Sequence, residues 1–413
     1  MANKKRIVLQ PEYMKSFRCI GANCEDSCCI GWRVNIDKEA YLKYKKINHK
    51  ELKPIFSKNI SKISNSKSPY SYGEIELDLK GRCAFLDEEN LCRIHGTLGE
   101  EYLSYTCATY PRCVQMVDGG FERSASMSCP EIGRLALLNP KGMAFEQIEE
   151  DSNIRMLFYN RIDTAGYLDS NRLEKYFWEI RMFSLSLLQN RDYNMGERLI
   201  ILGIVYKEIE ELYENGLAKN VPATLEEMGK VIEAGILKGE LEKVPINIKV
   251  QMRIAQELIQ KRISNGLTNE RYVECVNEMF LGLSYNESVK DEDILKKYEY
   301  NYNKYLASYL KEKEYIIENY LVNEYFKELM PFGKFKSVWD SYIFLCVLYS
   351  MVKLHLIGLG GYHKGLNDEL TLQLIQSLSK QILHNSKYIE EIISLLKDNK
   401  YDSLGDMSIL VKN

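Results

Sequence analysis

The chain has 413 residues, with 55 Lys+Arg against 58 Asp+Glu and a formal net charge of −3. That near balance excludes a nucleic-acid binder held by its overall field. With 45% hydrophobic and 27% charged residues, a disordered, collagen-like or membrane-embedded body is excluded too, and the length allows two or three domains or one large one.

In chain order, the N-terminus is basic (Lys4, Lys5, Arg6), and no continuous apolar stretch follows it. A secretory signal needs such a stretch, so the chain reads as cytoplasmic. Glu74–Leu79 alternates polar and apolar residues, the period of a half-buried strand. Cys83–Leu86, Asp87–Asn90 and Leu91–Ile94 read as a hairpin that keeps Cys83 and Cys92 within reach of one another. Asp118-Gly119-Gly120 marks a second turn, between Val114–Val117 and Phe121–Ala125. The Ser- and Lys-rich stretch between Ile60 and Gly73 reads as an exposed loop.

Beyond Cys129 the character becomes helical. Ser128 is expected to cap a helix with Pro130 in its first turn, and Asn139-Pro140 to stop it. Thr224 and Glu227 suggest a capping box at the start of a helix running to Ile236. Tyr342 to about Gly361 is apolar but contains Lys353 and His355, which predicts a buried core helix and no membrane insertion. Leu374, Ile375, Leu378 and Ile382 repeat at helical spacing. The expected class is mainly α: a Cys-rich N-terminal head with short strands and hairpins over 1–140, then a large helical body over 141–413.

Nine of the 11 cysteines fall at or before Cys129. Their order is Cys19, Cys24, Cys28-Cys29, Cys83, Cys92, Cys107, Cys113, Cys129; the remaining two, Cys275 and Cys346, sit in apolar helical patterns and read as core. In a reducing compartment, clustered cysteines point to metal ligation or thiol chemistry rather than disulfides. Cys24 and Cys28 would share one face of a helical turn. Cys28 and Cys29, being adjacent, are expected to diverge. An iron–sulfur centre, structural zinc, and redox-sensing or metal-storing thiols all fit. The absence of Cys-x2-Cys knuckles and the thiolate-only donor set favour iron–sulfur.

Several segments carry a resemblance. Cys24-x3-Cys28-Cys29, Cys83-Ala84-Phe85-Leu86 with Cys92-Arg93-Ile94-His95, and Cys107-Ala108-Thr109-Tyr110-Pro111-Arg112 resemble the Cys-rich zinc- or iron-chelating domain family. With Met127-Ser128-Cys129-Pro130-Glu131, Arg134–Leu138, Pro331-Phe332-Gly333, Ile375-Gln376-Ser377 and His384-Asn385, nearly the whole chain is similar to bacterial flagellin lysine-N-methylases. Ala84 and Ala108 depart from the proline and arginine common there. The resemblance implies methyl transfer from S-adenosylmethionine to lysine ε-amino groups of flagellin, with an iron–sulfur cluster, expected to be 4Fe–4S, in the Cys-rich region.

Two further signals bear on that implication. Gly358-Leu359-Gly360-Gly361 lacks the third glycine of a dinucleotide-binding turn, His363 standing there, and reads as a helix-ending turn. Cys28 is followed directly by Cys29, so the Cys-x3-Cys-x2-Cys radical signature is absent. The methyl donor is then expected to be held another way, for example by an open iron position. The ligand candidates are Cys24, Cys28, Cys83, Cys92 and Cys107, then Cys29, Cys113, Cys129 and Cys19. His95 and Tyr110 are candidates for taking the proton from the substrate ammonium, and Trp32 and Arg112 for touching the cofactor; structural roles are the plainer alternative for each. The acidic runs Asp87-Glu88-Glu89 and Glu100-Glu101 read first as solvated loops, secondarily as attraction for lysines. The rival from another class is a non-catalytic zinc- or iron-binding interaction protein.

Overall fold

The computed structural model describes residues 5–32, 34–66, 68–151, 155–168, 170–285, 289–383 and 386–412. His384 and Asn385 lie outside the described residues. Helix dominates, as the periodicity predicts.

The helical body is built around one 26-residue helix, Val338–His363, whose residues are buried from Val338 to Gly361. Ser337 caps its start by accepting from Asp340 N, and Lys364, in a left-handed conformation, ends it. Its length and composition would suit a membrane crossing, yet its most apolar stretch is wholly buried by protein. Helices Met195–Glu214, Ile248–Ser264, Glu270–Gly282, Asp291–Asn301, Asp368–Ile382 and Leu404–Val411 pack around it. A core helix needs an apolar surface all round rather than one stripe.

The Gly358–Gly361 segment lies inside this helix rather than ending it. Its glycines serve helix crossing. A Cβ at Gly282 would stand 1.8 Å from the Gly358 carbonyl oxygen, and one at Gly361 2.0 Å from Asn301 Nδ2. The two backbones therefore touch, which only glycine permits.

Helix Asp368–Ile382 buries Leu374, Ile375, Leu378 and Ile382 as expected. Helix Val221–Glu233 starts three residues before Thr224, because Pro222 seats in a first turn that needs no N–H there. Thr224 is thus inside the helix, and Ile236 lies beyond its end. Helix Pro130–Leu137 has Cys129 at its cap position rather than Ser128, whose hydroxyl is engaged elsewhere.

A five-stranded mixed sheet flanks the body in the order β7-β1-β6-β5-β8, with β1 Lys5–Pro11, β5 Arg112–Val117, β6 Gly120–Ala125, β7 Phe145–Asp151 and β8 Phe158–Ile162. The β5–β6 hairpin turns at Asp118 (φ 48°) and Gly119 (φ 78°), the two positive values a tight hairpin requires. β1 pairs antiparallel with β7 and parallel with β6, so the sheet takes strands from both sides of residue 140. Glu122 on β6 meets Arg181 at 2.7 Å, both nearly inaccessible, and the guanidinium lies over the Phe177 and Phe326 rings.

The Cys-rich lobe has its own small core, including Val34, Ile36, Tyr44, Phe56 and Phe85. Tyr44 stacks on Phe56 and Phe56 packs on Phe85, with centroids 4.5 and 4.7 Å apart. Around that core run β2 Asn35–Ile36, β3 Ile60–Lys62 and β4 Gly73–Ile75, with helices Lys38–Lys46, Leu52–Asn59, Arg93–Leu98 and Tyr105–Thr109. The expected strand over 74–79 is only β4. The expected hairpin is a single Leu86–Cys92 bridge, because Arg93 already begins a helix.

Candidate thiol site

Four chain segments bring their cysteines to one place. The first is the loop from Cys24 to Trp32. It is not helical, so Cys24 and Cys28 do not share a helix face; Cys24 follows a short 3-10 turn and donates to the Asp26 carbonyl at 3.3 Å. Ser27 Oγ accepts from the Cys29 N–H, and Trp32 Nε1 donates to the Cys28 carbonyl at 2.6 Å. The turn brings the Cys28 and Cys29 sulfurs to 3.9 Å, so these neighbours converge where divergence was expected.

The second segment holds Cys83, whose N–H donates to the Cys29 carbonyl at 2.9 Å and so ties it to that loop. The third holds Cys92, immediately before helix Arg93–Leu98, with the Ile94 and His95 N–H groups facing its sulfur. The fourth is helix Tyr105–Thr109, which carries Cys107. Ser104 caps this helix by accepting from Cys107 N, and Asp37 accepts from both Tyr105 N and Ala40 N, joining it to helix Lys38–Lys46.

Cys83 is buried in the small core of the lobe, and Cys29, Cys92 and Cys107 pack against it. Cys28 is drawn down to about 7, first by the hydrogen bond from Cys29 and then, against burial, by the Lys380 ammonium. Cys29 is pushed far up by that same bond, by burial and by the charges of Cys28, Cys107 and Cys83. Burial lifts Cys83 to about 11 and Cys107 to about 12, with neighbouring thiolates adding to each. Cys92 is raised by burial and by Cys28. Cys83, Cys29, Cys92 and Cys107 thus gather at the small core of the lobe, with Cys28 beside Cys29 at the surface. Cys129, lifted to about 12 by burial, feels Cys24 and Cys28 and flanks the group.

The donor set is all sulfur, the chemistry of iron–sulfur and thiolate–zinc sites. Two thiolates on one tetrahedral metal with bonds of ~2.3 Å stand about 3.8 Å apart, and the Cys28–Cys29 spacing fits that. Among the described residues, no three His, Cys, Asp or Glu side chains already surround one point as a bound metal requires.

Two predicted ligands lie apart. Cys113 sits on β5, and the strand carries it towards the body, where its half-buried thiol is near Lys327, Glu328 and Glu324. Cys19 is exposed.

Tyr110 is half-buried beside the thiols. Its hydroxyl is 3.0 Å from Ser128 Oγ, its ring centroid 5.7 Å from that of Trp32, and burial with Cys129 nearby keeps it a neutral phenol. His95 is exposed on helix Arg93–Leu98. The Arg112 guanidinium lies 5.1 Å from the Phe17 ring centroid; burial and Arg123 draw its pKa down.

Residues not singled out for the site complete it. Asp26 accepts from Lys380 and Gln376, four apart on helix Asp368–Ile382, and from Asn269, the cap of helix Glu270–Gly282. The sequence signal was present: Gln376 and Lys380 share a stripe offset from the apolar one.

The FliB lysine N-methylase C-terminal domain family matches residues 181–410. The chain belongs to the FliB lysine N-methylase family. That match begins in the body and includes the helix bearing Gln376 and Lys380. The lysine-N-methylase of Salmonella typhimurium is 25% identical over 399 residues, 93% of this chain and 94% of that protein. The lysine-N-methylase of Salmonella choleraesuis is 24% identical, with the same coverage. The flagellar biosynthetic protein FliU of Salmonella muenchen is 35% identical over 142 residues, 34% of this chain and 83% of that protein. No solved structure matches the chain. The activity class that follows is lysine N-methyl transfer.

Proposed function

We propose that this protein methylates lysine side chains of flagellin in the cytoplasm, using S-adenosylmethionine and an iron–sulfur cluster held by the Cys-rich lobe. The observation that supports the cluster is the gathering of Cys29, Cys83, Cys92 and Cys107 at the lobe core with Cys28 3.9 Å from Cys29. The names of the Salmonella relatives support the reaction and its flagellar setting.

Cys28, Cys29, Cys83, Cys92 and Cys107 are the residues that would hold the cluster, and it would supply an attachment point for the methyl donor. In the transfer, the lysine nitrogen forms a bond to the methyl carbon, the carbon–sulfur bond breaks, and S-adenosylhomocysteine leaves. The substrate ammonium first loses a proton, since its lone pair makes the new bond. Tyr110, held as a phenol, is suited to orient through Ser128 rather than to act as that base. Trp32, beside Tyr110 and anchored to the Cys28 carbonyl, gives the pocket an aromatic wall. A cleft of about 460 Å³ is lined by four carboxylates, Asp37, Glu39, Glu100 and Glu101, against Lys43 and Arg155, an excess that favours a basic partner.

The test is purification without oxygen, followed by assay. Brown protein with iron and acid-labile sulfide, and flagellin peptides gaining mass in single-methyl steps with the donor, would support the reading. Colourless protein with stoichiometric zinc and no methyl transfer would instead support a metal-braced interaction protein.

A further inference from the structure

The loop that carries Cys28 and Cys29 is held by the body, through a buried contact between residues some 350 positions apart in sequence. Asp26 is the centre of it. Its Oδ1 accepts from Lys380 Nζ at 2.7 Å, and its Oδ2 from Gln376 Nε2 at 2.7 Å and Asn269 Nδ2 at 3.2 Å. Each donor also reaches beyond Asp26 or is itself fixed. Lys380 Nζ donates to the Ser27 carbonyl at 2.9 Å, Gln376 Nε2 to the Ser128 carbonyl at 2.9 Å, and Asn269 Oδ1 accepts from Tyr272 N. The Lys380 and Asp26 side chains are only 2% and 9% exposed.

A lysine ammonium so deeply buried is costly unless paired, and a pair costs less when its remaining donors are satisfied. Lys380 has both a carboxylate and a carbonyl. The same ammonium sits 2.9 Å from the Ser27 carbonyl, one residue before Cys28. One buried cation thus performs two tasks: it locks the loop by its hydrogen bonds, and it places positive charge beside the sulfur pocket.

We infer that Lys380 is a positioning residue: with Gln376 and Asp26 it latches the Cys24–Cys29 loop onto the methylase domain and sets the electrostatics of the thiol site. The locking part stands on geometry alone. The electrostatic part rests on the metal-centre reading of the thiols. A buried cation beside a metal–thiolate centre stabilises the added electron of its reduced form, so its loss makes the centre harder to reduce.

The experiment uses the full chain with Lys380→Met, which keeps length without charge, Lys380→Arg, which keeps charge, and Asp26→Asn. In metal-free protein, hydrogen–deuterium exchange is followed at Ile30 and Gly31, whose N–H groups donate to the Ser27 and Gly81 carbonyls. Exchange there should quicken at least tenfold in Lys380→Met and Asp26→Asn, with helix Val338–His363 unchanged. In protein loaded anaerobically with iron and sulfide, Lys380→Met should move the midpoint potential negative, and Lys380→Arg should restore it. Unaltered exchange in both Lys380→Met and Asp26→Asn would overturn the latch. Faster exchange with an unmoved potential would overturn the electrostatic role. If the wild-type chain takes up no iron, the cluster reading fails while the exchange result still decides the latch. Should Lys380→Met not fold, Gln376→Leu, which removes the bonds to Asp26 and Ser128, decides by the same exchange measurement.

Discussion

Lys353 gives the sharpest test of the core. It lies on the central helix, 3% exposed, at a small cavity of about 110 Å³ lined by Gln251, Tyr298, Glu299, Tyr302 and Lys412. Its Nζ donates to the Lys412 carbonyl at 2.7 Å, and burial draws its pKa from 10.5 down to about 7. Between those values the unfolded chain holds a proton that the folded chain does not. Folding stability therefore rises with pH across that window and is level below about 7.

Each pH unit is worth about 1.4 kcal/mol, so at pH 7 this lysine costs the fold about 5 kcal/mol. Lys353→Met removes the titration and keeps the volume. It forfeits one hydrogen bond, but Gln251 Nε2 also donates to the Lys412 carbonyl at 2.7 Å, so that loss is small, about 1 kcal/mol. The variant should be more stable than wild type by roughly 3–4 kcal/mol at pH 7. The gap should narrow by about 2 kcal/mol on going to pH 9. Urea denaturation followed by circular dichroism at pH 7, 8 and 9, under reductant, measures both quantities. A gap that does not change with pH, or a variant weaker than wild type at pH 7, would refute the burial argument.

Other outcomes follow from the same structure. Gly282→Ala drives a methyl group into the Gly358 carbonyl, and because that contact is backbone it should cost about 3 kcal/mol; Gly229→Ala, on helix Val221–Glu233 with nothing within 4 Å, should gain ~0.5–1 kcal/mol. Thermal melts of the two variants compare them, and equal shifts would count against the close crossing. Glu122→Ala leaves the Arg181 guanidinium buried without its carboxylate and should cost about 3–5 kcal/mol by chemical denaturation; a loss under about 1 kcal/mol would contradict that burial. Cys83→Ser and Cys107→Ser should abolish metal binding, whereas Cys19→Ser and Cys113→Ser should leave the metal per chain unchanged by elemental analysis. Metal loss in Cys113→Ser would place the centre elsewhere.

Much was determined by sequence alone, because it depends on neighbours a few residues apart. Leu374, Ile375, Leu378 and Ile382 recur at helical spacing and are buried on one helix. The apolar run ahead of Gly361 became the core helix, and Asp118-Gly119 supplied the positive φ values of a hairpin. The crowding of thiols before residue 130 was likewise legible without the fold.

Only the tertiary structure decided which thiols meet. Cys107 and Cys113 are six apart, yet a helix end and the start of β5 intervene, so Cys107 joins the pocket while Cys113 turns to the charges around Lys327. Adjacent Cys28 and Cys29 converge because the loop turns there and is tied to Cys83 and Trp32, which spacing cannot encode. The shared stripe of Gln376 and Lys380 was legible, but its meeting with Asp26 was not, for the same reason. Lys380 reads as a surface charge on an amphipathic helix until the fold buries it against a carboxylate from the far end of the chain. Local pattern fixes which side chains share a face; the fold alone decides what that face meets.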